Sequence, residues 1–102
     1  MQPVTVGVVA DSAGLGRREA ALCSLHHMVG SATTAAVRLL GLDPFEVHAL
    51  AARLGPRLDA LAATAADRAA NCMTCDLPAT TSVLGDILAE HHAQWEVRLF
   101  AS

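Results

Sequence analysis

Between Arg17 and Leu40 apolar residues return every three or four positions: Leu22, Leu25, Val29, Ala32, Ala36 and Leu40. That spacing lines one face of an α-helix. Gly30 and Ser31 interrupt the middle, where small side chains allow another helix to come close or the axis to bend. Gly41 stops the pattern, and Asp43-Pro44-Phe45-Glu46 restarts it with an Asp cap, a proline in the first turn and a Glu three residues after the Asp. The helix predicted there carries Val47, Leu50 and Leu54 and is broken by Gly55-Pro56. Pro56 opens a further helix, in which Leu58 and Leu61 lead into LAATAADRAA. So few large side chains predict close helix contact on an alanine face, with Asp67 and Arg68 toward water.

The two ends are less regular. VTVGVVADSAGL reads as a strand by its valines, or as a short helix ending at the glycines of Gly14-Leu15-Gly16. Helix is preferred, because no later stretch supplies a strand to pair with. NCMTCDLPATT is irregular. After it, Val83, Leu84, Ile87 and Leu88 mark a last amphipathic helix, and His91, Trp95 and Leu99 continue its spacing. The expected architecture is one all-α domain over residues 1–102, a bundle of about five helices.

Composition narrows the partners more than the fold. Hydrophobic residues make up 53% of the 102 positions while aromatics make up 3%, so the apolar bulk is Ala, Leu and Val, which suits closely packed helices. A formal charge of −3 argues against nucleic acid, whose phosphates require a basic face. Every apolar stretch is broken before the ~20 residues that a membrane crossing needs. The first residues, MQPVTVGVVADSAG, lack the basic start of a signal peptide. Three cysteines, an odd number, fit a reducing compartment better than a disulfide framework. The expectation is a cytoplasmic protein without nucleic acid or membrane as partner.

Candidate chemistry is sparse. Cys72-Met73-Thr74-Cys75 has the spacing of a redox pair or of half a zinc site. His91 and His92 would complete a four-ligand set if the last helix folded back over the loop. That is the rival functional reading: a small metal-binding or metal-sensing protein using Cys72, Cys75, His91 and His92. The plainer account is a pair of small apolar residues in a loop. In His26-His27 the neighbouring side chains diverge, so one is expected near the apolar face as a buried, hydrogen-bonded histidine. Gly14-Leu15-Gly16-Arg17-Arg18 lacks the Lys-Ser/Thr of a phosphate loop and the third glycine of a dinucleotide motif, so it reads as a cap and turn. No Ser/His/Asp or Cys/His set can be assembled. No enzyme, catalytic residue, resident cofactor or firm metal ligand is expected.

The ending HHAQWEVRLFAS is different. Termini usually end on small polar residues and fray. Here Trp95, Val97, Leu99 and Phe100 extend the apolar stripe beyond what so short a bundle covers, with Arg98 among them. Large aromatics beside an arginine are common interface anchors, combining buried area with directional hydrogen bonds. The competing reading is a tail folded onto its own bundle.

The stretch VLGDILAEHHAQWEVRLFAS resembles the C-terminus of the UreF family of urease accessory proteins, which typically ends in an acidic or His-containing helix and an Arg-Leu-Phe-x-Ser tail. GSATTAAVRLLGLDPFEV is similar to the family's small-residue central helix and its exit turn, and VTVGVVADSAGLGRREAAL to the preceding Ala/Val helix and Gly-Leu turn. The resemblance spans nearly the whole chain but only the C-terminal part of the family domain. It implies an all-α, non-catalytic chaperone that forms homodimers, binds UreD (also called UreH), helps recruit the GTPase UreG, and docks on apo-urease for nickel insertion. It further implies that Arg98, Leu99, Phe100 and Ser102 belong to a C-terminal element that orders against accessory partners. With Trp95 they form the expected partner-binding tail, residues 93–102. Without the family's N-terminal helices the alanine-rich faces lack partners, so the isolated chain is expected to be oligomeric or partly molten.

Overall fold

A computed structural model describes residues 2–77 and 82–94. They form α1 (Gln2–Ser12), α2 (Arg17–Leu40), α3 (Pro44–Arg53), α4 (Gly55–Asn71) and α5 (Val83–Ala93), with a single 3-10 turn at Thr74–Asp76. The valine-rich opening is therefore helical. A lone strand would leave its N–H and C=O groups unpaired, whereas a helix pairs them internally.

Glycine terminates two of these helices by the same device. At the end of α1, Gly14 takes φ +74°, the Leu15 N–H donates to Ala10 O at 2.9 Å, and the Gly14 N–H donates to Asp11 O at 2.9 Å. This crossed pair satisfies carbonyls that the helix end would otherwise orphan. Gly41 takes φ +62° and donates to Val37 O at 3.1 Å, a simpler version of the same stop. The start of α3 matches its sequence signature: Asp43 Oδ1 accepts from the Phe45 N–H at 2.9 Å, and Pro44 opens the first turn. Asp43→Ala is accordingly expected to cost about 1 kcal/mol. A urea titration against Asp43→Asn, which keeps an acceptor, checks it; equal losses in both variants would remove the cap as the cause.

α2 is the hub. It packs most extensively on α4 and also touches α1 and α3, and α3 meets α4 lightly. The closest contact falls on the alanine face of α4, as the composition of that segment predicts. Ala62 is fully buried, Leu58 is 5% exposed, and Ala63 and Ala66 are half-buried. Asp67 and Arg68 face water. An exposed ion pair, Arg18 Nη2 to Asp59 Oδ1 at 3.6 Å, links the beginnings of α2 and α4. Exposed pairs of this kind contribute little to stability.

The predicted stripe on α2 holds in its first half and drifts in its second. Leu22, Leu25, Val29 and Ala36 are half-buried as expected, but Ala32 and Leu40 are exposed, and Thr33 and Val37 take the inward places. The connection from α2 to α3 is so short that α3 must lie beside the C-terminal half of α2, so a different neighbour selects a different line of residues there. In α3 the inward residues are Val47, Ala51 and Leu54, and the expected Leu50 points outward. Leu61 of α4 does so too.

Among the described residues only Ala10, Leu58 and Ala62 are buried hydrophobics. The helices are well formed, but their packing is open.

Candidate interaction surface

α2 has two faces with different fates. One is covered by α4 and α3. The other carries Ser24, His27, Ser31, Thr34 and Arg38, spaced by three and four so that they share a side, and all five are exposed. They line two adjoining open clefts that share His27 and Ser31. In one, Pro3 and Val6 of α1 and Met28 form the wall; in the other, Gly30 and Ala35 complete it. A Cβ placed on Gly30 would meet nothing within 4 Å, so this part of α2 lies open. The Ser24 hydroxyl donates to Ala20 O at 3.2 Å and Thr33 Oγ1 to Gly30 O at 3.0 Å, so both hydroxyls are turned back onto their own helix.

Chemically these clefts suit a helix. Their floor is small enough for close backbone approach, Met28 is an adaptable apolar wall, and His27 and Arg38 supply polar fixing points at their sides. The sequence signal was the Gly30-Ser31 pair, which marks a place for close approach. What periodicity alone missed is that this place lies on the side of α2 away from α4.

Other apolar surface is also uncovered. Val6, Val9, Ala13 and Leu15 line a cleft on α1 with Cys23 of α2. On α3, Phe45 is 84% exposed. α5 makes no comparable packing contact with any other described helix. Its stripe of Val83, Leu84, Ile87 and Leu88 forms as predicted, begins at a Ser82 side chain accepting from the Gly85 N–H at 3.3 Å, and stands exposed.

The expected tail anchors, Trp95, Arg98, Leu99, Phe100 and Ser102, lie outside the described residues. The last described helix ends at Ala93, with Gln94 capping it. Cys72 and Cys75 are exposed free thiols at the 3-10 turn, while His91 and His92 sit in the last turn of α5. No group of three or more His, Cys, Asp or Glu among the described residues stands close enough to hold a metal ion, so the four-ligand arrangement is not assembled. His26 and His27 are both exposed, which corrects the expectation that one is buried. Too little of the chain surrounds α2 at that level to enclose either ring. No helix among the described residues is long and apolar enough to cross a membrane.

Comparison with known proteins places this arrangement. A family model described as UreF matches residues 1–55, which takes in α1, α2 and α3. The chain is 39% identical over 100 residues to the urease accessory protein UreF of Mycobacterium sp. (strain JLS), covering 98% of this chain and 44% of that protein. It is 35% identical over 99 residues to the protein of that name from Mycolicibacterium vanbaalenii, covering 97% of this chain and 42% of the relative. With the Cereibacter sphaeroides protein the identity is 33% over 98 residues, covering 96% of this chain and 44% of the relative. The similarity thus continues past the family-model match through α4 and α5, yet the chain spans less than half the length of these curated relatives. No solved structure gives a significant match. The chain belongs to the UreF family.

Proposed function

We propose that this chain acts in urease maturation as a non-catalytic scaffold. In this reading it holds UreD/UreH and UreG together on apo-urease while nickel is inserted, in the cytoplasm, and works as a homodimer. Nickel is cargo of the assembly and is not ligated firmly by this chain. The observation that carries the reading is the membership in a family whose curated members are named urease accessory proteins. The amount of apolar helix surface left uncovered supports it, since a scaffold needs such surface.

Within that reading, residues 93–102 are the docking element. Trp95, Leu99 and Phe100 supply apolar anchors, Arg98 a directional donor set, and Ser102 the end of the Arg-Leu-Phe-x-Ser motif.

Co-purification tests the proposal. Tagged chain expressed with UreD/UreH and UreG is expected to retain both, and a variant lacking residues 95–102 is expected to lose at least one of them together with urease activation. If the shortened chain keeps both partners and full activation, the tail has no docking role. If the intact chain binds neither, the scaffold reading itself is wrong.

A further inference from the structure

Three sulfur atoms share four consecutive residues of the chain. Cys72-Met73-Thr74-Cys75 follows α4 directly, and both cysteines are exposed free thiols. Met73 between them is 72% exposed, so its thioether is not occupied in packing. The backbone of this stretch is held at both ends. On one side the Cys72 N–H donates to Arg68 O at 2.9 Å and closes the last turn of α4. On the other, the Asp76 N–H donates to Met73 O at 2.9 Å and the Leu77 N–H to Thr74 O at 3.4 Å. The main chain is thus ordered before any ligand arrives, which leaves chiefly side-chain rotamers to be fixed on binding.

The donor set selects among ligands. A structural zinc site takes four donors, and no group of three or more His, Cys, Asp or Glu stands together among the described residues. Magnesium and calcium require oxygen donors. Thiolates combined with a thioether are the soft set that selects monovalent copper, a cation stable at low coordination number. A thiol-exchange centre fits less well, because Cys72 caps the C-terminal end of α4, whereas reactive cysteines favour helix N-termini.

We propose that Cys72, Met73 and Cys75 form a binding site for monovalent copper, built of two thiolates and one thioether on a single loop. Each thiol releases its proton to solvent as its copper–sulfur bond forms. The metal remains Cu(I) throughout, so no oxidant or reductant is consumed. Met73 takes part because its unbranched, flexible side chain can turn toward a cation held by its neighbours. The proposal goes beyond the scaffold reading: it concerns a different metal from the nickel cargo, and it stands whether or not the tail binds accessory proteins.

The test titrates the reduced 102-residue chain with Cu(I) under anaerobic conditions, against bicinchoninate as a coloured competitor. One copper per chain is expected, with no change in oligomeric state by light scattering. Cys72→Ser and Cys75→Ser should each weaken binding about a hundredfold or more, and Met73→Leu about tenfold. Cys23→Ser, on α2, should leave binding as it is. Since the loop is exposed, the helical signal of all four variants should match that of the parent, which separates loss of the site from loss of the fold.

Copper that stays with the competitor would overturn the proposal, as would binding that depends on Cys23 or that joins two chains. A Met73→Leu variant as tight as the parent overturns the three-sulfur site. Parallel titrations with Zn(II) and Ni(II) test the choice of cation, and tighter binding of either than of Cu(I) overturns it. None of these results depends on UreD/UreH or UreG, so failure here is distinguishable from failure of the scaffold reading.

Discussion

Leu58→Ala is expected to collapse the helix pair on which the chain is built, at a cost of about 2–4 kcal/mol. Leu58 is one of three buried hydrophobics among the described residues, and it lies on α4, whose main packing partner is α2. Removing its branched end deletes the transfer free energy of those atoms and leaves a void between helices that are held apart by their backbones. Small domains have only ~5–15 kcal/mol in total, and so sparse a core places this one toward the low end. A urea series followed at 222 nm should show a much lower midpoint for Leu58→Ala than for the parent chain. Leu61→Ala, three residues away but 54% exposed, supplies the contrast and should cost less than about 1 kcal/mol. Equal effects at the two positions would mean that the α2–α4 contact is not what holds the chain together. Ala62→Leu should be nearly as harmful for the opposite reason. Its side chain has no exposed surface, so added bulk must push the helices apart, at about 1–3 kcal/mol.

The second large effect concerns the tail and rests on its proposed docking role. Phe100→Ala and Trp95→Ala should each weaken binding to UreD/UreH by about 30-fold, the loss that a ~2 kcal/mol interface anchor produces. Arg98→Lys should also weaken it, because an ammonium group cannot reproduce the planar fork of a guanidinium. Ser102→Ala should change affinity least, since a terminal hydroxyl buries little area. Interferometry with immobilised UreD/UreH would measure all four. Because these positions lie outside the sequence of α2 and α4, the helical signal of the variants should match that of the parent. Affinities within threefold of the parent for both aromatic variants would show that the tail is not an anchor.

The distinction between local and long-range information explains which expectations held. Helix ends depend on residues within one turn, so the glycines at 14 and 41 and the Asp43-Pro44 start could be read directly from their neighbours. The alanine face of α4 was equally legible, because a segment with so few large side chains can bury itself only by close approach. Errors arose where a second element chooses among nearly equivalent residues. Leu50 and Ala51 are adjacent on α3, and the larger one was expected inside; the position of α2 selects the alanine. CxxC spacing likewise constrains only one loop, while further ligands depend on long-range placement, and no group of three or more candidate ligands stands together among the described residues.

The amino-acid sequence by itself determined that the chain is helical and where most of its helices begin and end, because propensity, capping and short-range periodicity act over a few residues. The resemblance to a family rests instead on particular stretches, the Arg-Leu-Phe-x-Ser ending among them. Only the tertiary structure decided which residues of α2 its neighbours cover and that so few side chains are buried among the described residues. Coverage depends on how much polypeptide surrounds a helix, and no periodicity along that helix records it.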